Sequence, residues 1–216
     1  MSIISNWLSK AAPGFFSSPL LPPENSKKPL HMELVKPKDW PIITRKATSW
    51  SWKAYKKAVA QPPKSQAHAQ LKDCGFICET LVSHLQSISP ENRASSENID
   101  QGRVGPQELY VCKDGDDKIH GMALVGRDRT SLVGHLLVTH PRNIPDHKGI
   151  RDPRSTKGVG STADDHINRI APQRGIQNIL LVNSDSSKEF YLKRGYKRTN
   201  HPNFTFYKSI KPISAL

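Results

Sequence analysis

The spacing of hydrophobic residues follows a helical period in the first half of the chain and a strand period in much of the second half. Over 71–88, Leu71, Cys74 and Cys78 begin a series of apolar residues at three- and four-residue steps, which predicts a helix with one buried face. The acidic turn at 114–117 tolerates left-handed backbone angles and separates two short apolar runs, which is typical of a hairpin. The pattern predicts strands at 31–36, 109–113, 119–125, 131–139, 176–182, 196–199 and 204–210, and helices at 43–60, 71–88, 159–170 and 186–194.

The order of these elements is β-α-α-β-β-β-α-β-α-β-β. A run of antiparallel strands that leads into a strand-helix-strand crossover predicts an α/β fold with a mixed sheet covered by helices. We expect a single domain over 31–212. Residues 1–30 are rich in proline and serine, and prolines this dense cannot lie inside helices or central strands. We therefore predict that 1–30 is a disordered extension.

The composition narrows the class of protein. The chain has 216 residues, of which 36% are hydrophobic. That is enough to bury a sizeable core, and no apolar run approaches the roughly 18–20 residues of a membrane helix. The three cysteines cannot pair completely and lack a second pair at zinc-finger spacing, so we expect neither a disulfide framework nor a structural metal. We expect a reduced, cytoplasmic protein, with secretion or targeting through 1–30 as the alternative.

The charge of the chain is strongly basic, with a formal net charge of +13. A basic surface attracts polyanions such as nucleic acid, anionic lipid or a phosphate-rich cofactor. Charge alone does not distinguish these partners from a basic surface that only keeps the protein in solution. The sequence shows no RNA-binding aromatic motif, zinc finger or leucine zipper, so nucleic acid remains an alternative that rests on charge.

The segment with the clearest chemistry is S-T-K-G-V-G-S-T at 155–162, between a predicted strand and a predicted helix. Its glycines let the backbone turn its N–H groups inward, and the first turn of the helix leaves further N–H groups free at the positive end of the dipole. The segment therefore predicts an anion cradle suited to a diphosphate. It is neither a P-loop nor a dinucleotide fingerprint, because the required lysine spacing and the third glycine are missing. The cradle consists of Lys157, Gly158, Val159, Gly160, Ser161 and Thr162.

Further motifs flank this cradle in a fixed order. The chain contains strand 131–139, then Ser155-x-x-Gly158-x-Gly160, then strand 176–182, then Asn183, Tyr191, Gly195 and Tyr196. In this order and spacing the chain resembles the GNAT superfamily of acyl-CoA N-acyltransferases. That family has a coenzyme loop of the form Arg/Gln-x-x-Gly-x-Gly/Ala, and its later helix carries Asn followed by Tyr-x-x-x-Gly-Phe. The resemblance is strongest over 131–200 and extends by element order to about 31–212.

The resemblance implies a fold and a reaction. The implied fold is a GNAT-like mixed, mostly antiparallel sheet, in which the parallel strands 132–139 and 176–182 splay apart around acetyl-CoA. The implied reaction is the transfer of an acetyl group from acetyl-CoA to a primary amine by direct attack, with no metal. The amine could belong to a protein lysine, a protein N-terminus or a small molecule.

The resemblance also implies where the coenzyme lies. The pantetheine would pair with backbone groups near Leu137 and Thr139, and the diphosphate would rest on the N–H groups of 157–162. A backbone N–H near Val138 would stabilise the negative charge that develops on the acetyl oxygen. Asn183 belongs to the same implied site.

Proton transfer in such a reaction needs a donor and an acceptor. Tyr191 matches the tyrosine that protonates the leaving thiolate in the family, although an aromatic residue in the core is the alternative. His135 matches the position of a histidine base in some members, and histidine titrates in the required range. A histidine hydrogen-bonded on the sheet face is the equal alternative. His140, Glu108 or a water-mediated route are the other candidates for removing the amine proton.

Two features depart from the family pattern. Ser155 stands at the first position of the coenzyme loop, with Arg154 one residue early, and the stretch 142–154 is longer than usual and basic. Its arginines and lysine could reach the phosphates, shape a substrate lid or simply lie in solvent. These departures and the basic N-terminal segment would fit a GNAT-like binding module with weak or no activity. The basic charge leaves a third function open, a protein associated with nucleic acid or ribosomes, with or without acetyl transfer. The acceptor and the oligomeric state are not encoded in a recognisable motif.

Overall fold

The structure is a computed structural model and describes residues 29–88, 107–128, 130–181, 187–200 and 205–210, without the side chains of 128 and 135. These residues form a seven-stranded sheet with the strand order β1-β2-β3-β4-β5-β7-β6. All neighbouring strands are antiparallel except β4 and β5, which are parallel. The predicted fold class is therefore confirmed. The strands are β1 (His31–Leu34), β2 (Gln107–Lys113), β3 (Ile119–Asp128), β4 (Ser131–Thr139), β5 (Asn178–Leu181), β6 (Lys197–Arg198) and β7 (Phe206–Ser209), and the helices are α1 (Trp40–Val59), α2 (Gln66–Ser87), α3 (Val159–Gln173) and α4 (Lys188–Lys193).

The helices cover the sheet on both faces. Helices α1 and α2 pack on one face, where Leu109 and Val138 belong to their core. Helices α3 and α4 pack on the opposite face, where Tyr110 and Leu137 lie. Neighbouring residues of one strand thus enter different cores, because successive side chains of a strand point to opposite faces.

Several element boundaries differ from the predicted ones. Helix α2 begins at Gln66, five residues before the predicted start, because the Ser65 side chain accepts a hydrogen bond from the His68 N–H at 3.2 Å and caps the helix. The first turn of α2, Gln66 to Ala69, has only small or polar residues, so the period of large apolar residues does not reveal it. The predicted loop at 90–107 lies outside the described residues except for Gln107, which already belongs to β2. The predicted extension at 1–30 also lies outside them, apart from its last two residues.

The described pairing of β4 with β5 ends before β4 itself does. The ladder between β3 and β4 shifts register between Leu124 and Val125, which leaves His135 as the extra residue of a β-bulge. The parallel ladder between β4 and β5 ends at Gly134 and Leu181. Residues 136–139 of β4 therefore continue without a partner in the described part of β5.

No helix among the described residues is long and apolar enough to cross a membrane.

Candidate functional site

A cavity of about 500 Å³ lies beside β4, next to Gly134 and Leu181, the last described pair of the β4–β5 ladder. On one face of the sheet it is lined by Phe76 and Thr80 of α2, and on the other face by Asp164 and Ile167 of α3. A continuous sheet would separate these two groups of residues. The cavity therefore passes the edge of β4 beyond the described part of its ladder with β5.

The backbone of β4 presents alternate residues to the opening. The His140 N–H donates to the His120 carbonyl at 2.9 Å, so His140 faces β3. In an antiparallel ladder alternate residues share a hydrogen-bonding side. Val138 therefore also faces β3, whereas Leu137 and Thr139 direct their N–H and C=O groups into the opening and line the cavity. The N–H of Val138 itself lies on the β3 side, so an oxyanion donor near Val138 would have to be a neighbouring amide on the open side of β4.

The predicted anion cradle lies at the start of α3. Gly158 is the N-cap residue of α3 and has φ +85°. This is a left-handed backbone conformation that residues other than glycine rarely adopt. Helix geometry leaves the N–H groups of Val159, Gly160 and Ser161 without partners inside the helix. The Thr162 N–H is different, because it donates to the Gly158 carbonyl at 2.8 Å. The cradle therefore offers the first three amides of α3, and the amide of Thr162 does not belong to it.

The side chains of the cradle have different surroundings. Gly160 and Ser161 line the cavity. Val159 is buried against Gly121, where a Cβ atom would lie only 2.5 Å from Val159 Cγ1. Lys157 is exposed to solvent. Val159 therefore anchors the start of α3 to the sheet, and only its amide remains available to a ligand.

Tyr191 forms part of the cavity wall. The residue is 7% exposed and packs edge-on against Phe190 and Tyr196, with ring centroids 5.0 and 5.4 Å apart. Burial, followed by the negative charge of Asp164, raises the pKa of Tyr191. Within the described residues its hydroxyl has no hydrogen-bond partner. A neutral phenol at this place can donate its proton into the cavity.

Asp164 is a site residue that the sequence analysis missed. It lies on α3, lines the cavity and is 2% exposed. Its Oδ1 accepts the Tyr196 hydroxyl at 2.6 Å, and its Oδ2 accepts Arg194 Nε, while Arg194 also contacts Asp165. One feature of the sequence could have revealed it: Asp164 directly follows Ala163, which lies on the predicted apolar face of the helix. This network ties α3 to the segment after α4 and thereby supports the wall that carries Tyr191.

The candidates for the general base differ in how the structure describes and surrounds them. His135 is the bulged residue of β4, but its side chain lies outside the described residues, as does all of Asn183. Glu108 is 1% exposed, and its two oxygens bind Arg174 at 2.5 and 2.7 Å while it accepts the Tyr110 hydroxyl. Since both oxygens are occupied by an ion pair, Glu108 is a structural residue and does not suit the removal of a substrate proton.

His140 is held away from the cavity. Its ring packs edge-on against Trp50, with centroids 4.7 Å apart. Its Nδ1 accepts from the Arg142 backbone N–H at 3.0 Å. Burial, assisted by the charges of Arg142 and Lys53, lowers the pKa of His140 to about 3. His140 therefore stays neutral at physiological pH and serves to order the following loop.

No group of three or more His, Cys, Asp or Glu side chains in the described ranges could hold a metal ion.

Comparisons with known proteins find similarity only among solved structures. No family model matches the chain, and no curated protein does. One similar structure is a PaiA N-acetyltransferase from Thermoplasma acidophilum in complex with coenzyme A, with 15% identity, a TM-score of 0.48, and coverage of 84% of this chain and 99% of that one. Another is an acetyltransferase of the GNAT family from Staphylococcus aureus, with 10% identity, a TM-score of 0.47, and coverage of 85% of this chain and 100% of that one.

Proposed function

We propose that the protein is an N-acetyltransferase that transfers an acetyl group from acetyl-CoA to a primary amine by direct attack on the thioester. The observation that carries the proposal is the cavity through the sheet between β4 and β5, which joins the amides at the start of α3 to Tyr191. This one space contains an anion cradle, backbone groups of β4 that have no partner in the described part of β5, and a proton donor. A phosphate-bearing acyl thioester has the groups that match all three.

The polar groups of acetyl-CoA match the backbone groups that border the opening. Its pantetheine arm carries two amides, which can pair with the backbone groups that Leu137 and Thr139 direct into the opening. Its diphosphate suits the amides of Val159, Gly160 and Ser161 at the positive end of α3. An amide on the open side of β4 is also placed to stabilise negative charge on the acetyl oxygen.

The reaction then needs two proton transfers. The amine nitrogen forms a bond to the carbonyl carbon, the carbon–sulfur bond breaks, and its electron pair stays on sulfur. The Tyr191 hydroxyl gives its proton to that sulfur. The raised pKa of Tyr191 keeps the phenol neutral before the reaction, so the proton is present to be given. The amine proton leaves to His135 or to water, and His135 remains a proposal.

Coenzyme binding is tested at Gly160. Gly160→Asp places a carboxylate beside the cradle, so the affinity for acetyl-CoA should fall at least about tenfold through repulsion between like charges. Gly160→Ala is the matched control, because its Cβ would lie 3.5 Å from the Phe190 ring, an ordinary contact. Calorimetric titration with acetyl-CoA measures both variants. Equal affinity in the Asp variant and the wild type would remove the cradle from the proposal.

Catalysis is tested at Tyr191. Tyr191→Phe should lower the rate of CoA release with an amine panel by about 10²-fold or more, with an unchanged Kd for acetyl-CoA. Tyr196→Phe is the control, because Tyr196 bonds Asp164 instead and should lose stability rather than turnover. Wild-type turnover in the Tyr191 variant would show that its hydroxyl is not the donor. If wild-type protein neither binds acetyl-CoA nor releases CoA, the binding-module alternative stands in place of the enzyme.

A further inference from the structure

A second, open groove of about 860 Å³ lies between α1 and the loop that follows β4. Five basic side chains line it: Lys53, Lys57, Arg142, Arg151 and Arg154. Two carboxylates, those of Asp146 and Asp152, line it as well. The groove therefore has more basic than acidic side chains. How much of this positive charge is open to a ligand depends on which basic side chains are paired with the two carboxylates.

One half-buried cation of the groove, Lys57, is held by neutral groups. Lys57 Nζ donates to the carbonyls of Pro141 at 3.3 Å and Ile144 at 2.5 Å. It forms no ion pair with a carboxylate of the described residues. Burial lowers the pKa of Lys57, and the more distant charges of Asp152 and Asp146 offset only part of that effect. An unneutralised charge in such a place costs stability, and a bound anion would offset that cost.

Three more cations are also without a carboxylate partner in the part of the chain that the structure describes. Arg151 donates to the Asn143 carbonyl at 3.2 Å, and Arg142 donates through Nε to His140 Nδ1 at 3.1 Å. Lys53 extends from α1 and is exposed. The two arginines are thus oriented by neutral acceptors while they keep their charge.

The two carboxylates serve the loop itself. Asp146 Oδ1 accepts the backbone N–H groups of Lys148 and Ile150 at 2.9 and 2.8 Å. Asp152 binds Arg154 through Nε at 3.2 Å and through a terminal nitrogen at 3.1 Å. Asp152 therefore forms a direct ion pair with Arg154 alone. The other four cations have no carboxylate within ion-pair distance among the described residues, although Asp152 and Asp146 act on Lys57 from farther away.

The groove lies on the opposite face of the sheet from the cradle. Lys53 and Lys57 come from α1, whereas the cradle begins α3, and α1 and α3 pack on opposite faces. Thr139 lines the cavity and the next residue, His140, lines the groove, so the two spaces flank the same end of β4. If the coenzyme binds at the cradle on the α3 side, as proposed above, an amine that approaches from the α1–α2 side would pass close to the groove.

We infer that this groove binds the phosphate group of the acceptor, so that the substrate is an amine that also carries a phosphate monoester. The inference rests on the proposed function for the identity of the reactive amine. A phosphate suits the groove better than a carboxylate does, because it offers more acceptor oxygens, and two arginines can bind it in a forked geometry. The positive charges that help to keep His140 neutral show the same local field.

The test compares 2-aminoethyl phosphate with 2-aminoethanol as acceptors. For the wild type we expect a KM at least about tenfold lower for the phosphate, since its charge-assisted hydrogen bonds to the groove are absent from 2-aminoethanol. The double variant Lys53→Gln/Arg151→Gln should raise that KM about tenfold or more and leave kcat, the KM for 2-aminoethanol and the acetyl-CoA affinity unchanged. Both residues are exposed, so folding should not suffer. Lys56→Gln is the control, because Lys56 lies over the Trp52 ring at 5.0 Å and does not line the groove.

The remaining measurements separate this inference from the proposed function. Calorimetric binding of 2-aminoethyl phosphate without acetyl-CoA, lost in the double variant, would support the groove even if acetyl transfer were absent. Acetyl transfer without a preference for the phosphate would overturn the groove and leave the enzyme intact. A loss of affinity for CoA but not for dephospho-CoA in the double variant would assign the groove to the coenzyme and overturn the inference. Salt-sensitive RNA binding that disappears in the double variant would overturn it in favour of a nucleic-acid surface.

Discussion

Asp164→Asn removes the charge from a buried carboxylate while keeping its shape. Asp164 accepts hydrogen bonds from Tyr196 and Arg194, which lie on the far side of α4 in sequence. The amide can still accept one of these bonds, but its NH₂ group faces the other donor. The variant therefore loses the ion pair with Arg194 and at least one charge-assisted hydrogen bond.

The structure sets the size of the effect. Breaking a fully buried ion pair costs about 3–5 kcal/mol, because the remaining charge stays buried. The Arg194 side chain is 25% exposed, so water still hydrates part of its charge, and its contact with Asp165 remains after the substitution. Both effects reduce the cost. We expect a loss of about 2–3 kcal/mol in the free energy of unfolding, or roughly 5–10 °C in Tm for a domain of this size.

Urea unfolding followed by tryptophan fluorescence measures this change, provided that the m value stays constant. Asp165→Asn is the matched control, because Asp165 contacts the same arginine with a side chain that is 69% exposed. Its replacement should change stability by no more than about 0.5 kcal/mol. Equal effects of the two substitutions would refute the reasoning, since burial would then not decide the strength of the contact.

Three further predictions concern the backbone and the histidines. Gly121→Ala should cost about 1–3 kcal/mol, because the new Cβ would lie 2.5 Å from Val159 Cγ1; an unchanged urea midpoint would contradict this. Gly158→Ala should cost about 1–2 kcal/mol from the positive φ alone, since no atom lies within 4 Å of the new Cβ; the same urea titration measures it. Burial lowers the pKa of His140 to about 3 and that of His166 to about 4. The unfolded chain therefore binds these protons first, and stability should be complete above about pH 6.5 and fall toward about pH 4. His166→Gln should reduce this decline, and a flat profile in the wild type would show that the two rings are not neutral in the fold.

Local pattern was sufficient wherever a single element carries its own period. The bounds of β4 at Ser131 and Thr139 agree with the prediction, because a long apolar run between turn residues marks a buried strand. The start of α3 at Val159 also agrees, since Gly158 tolerates the left-handed angle that begins it. These features depend on the few residues around each position, so the sequence determined the order of elements and the presence of a glycine-rich helix start.

Contacts between distant elements were decided only by the tertiary structure. Whether Val138 or Leu137 faces the opening depends on the hydrogen-bonding register with β3, which no period along β4 reveals. Asp164 became a site residue only when α3 met Arg194, and the basic groove formed only when α1 met the loop after β4. The physical reason is that the side of a strand that binds, and the burial of a charge, depend on neighbours brought together by folding. Periodicity along the chain records only which face of an element is apolar.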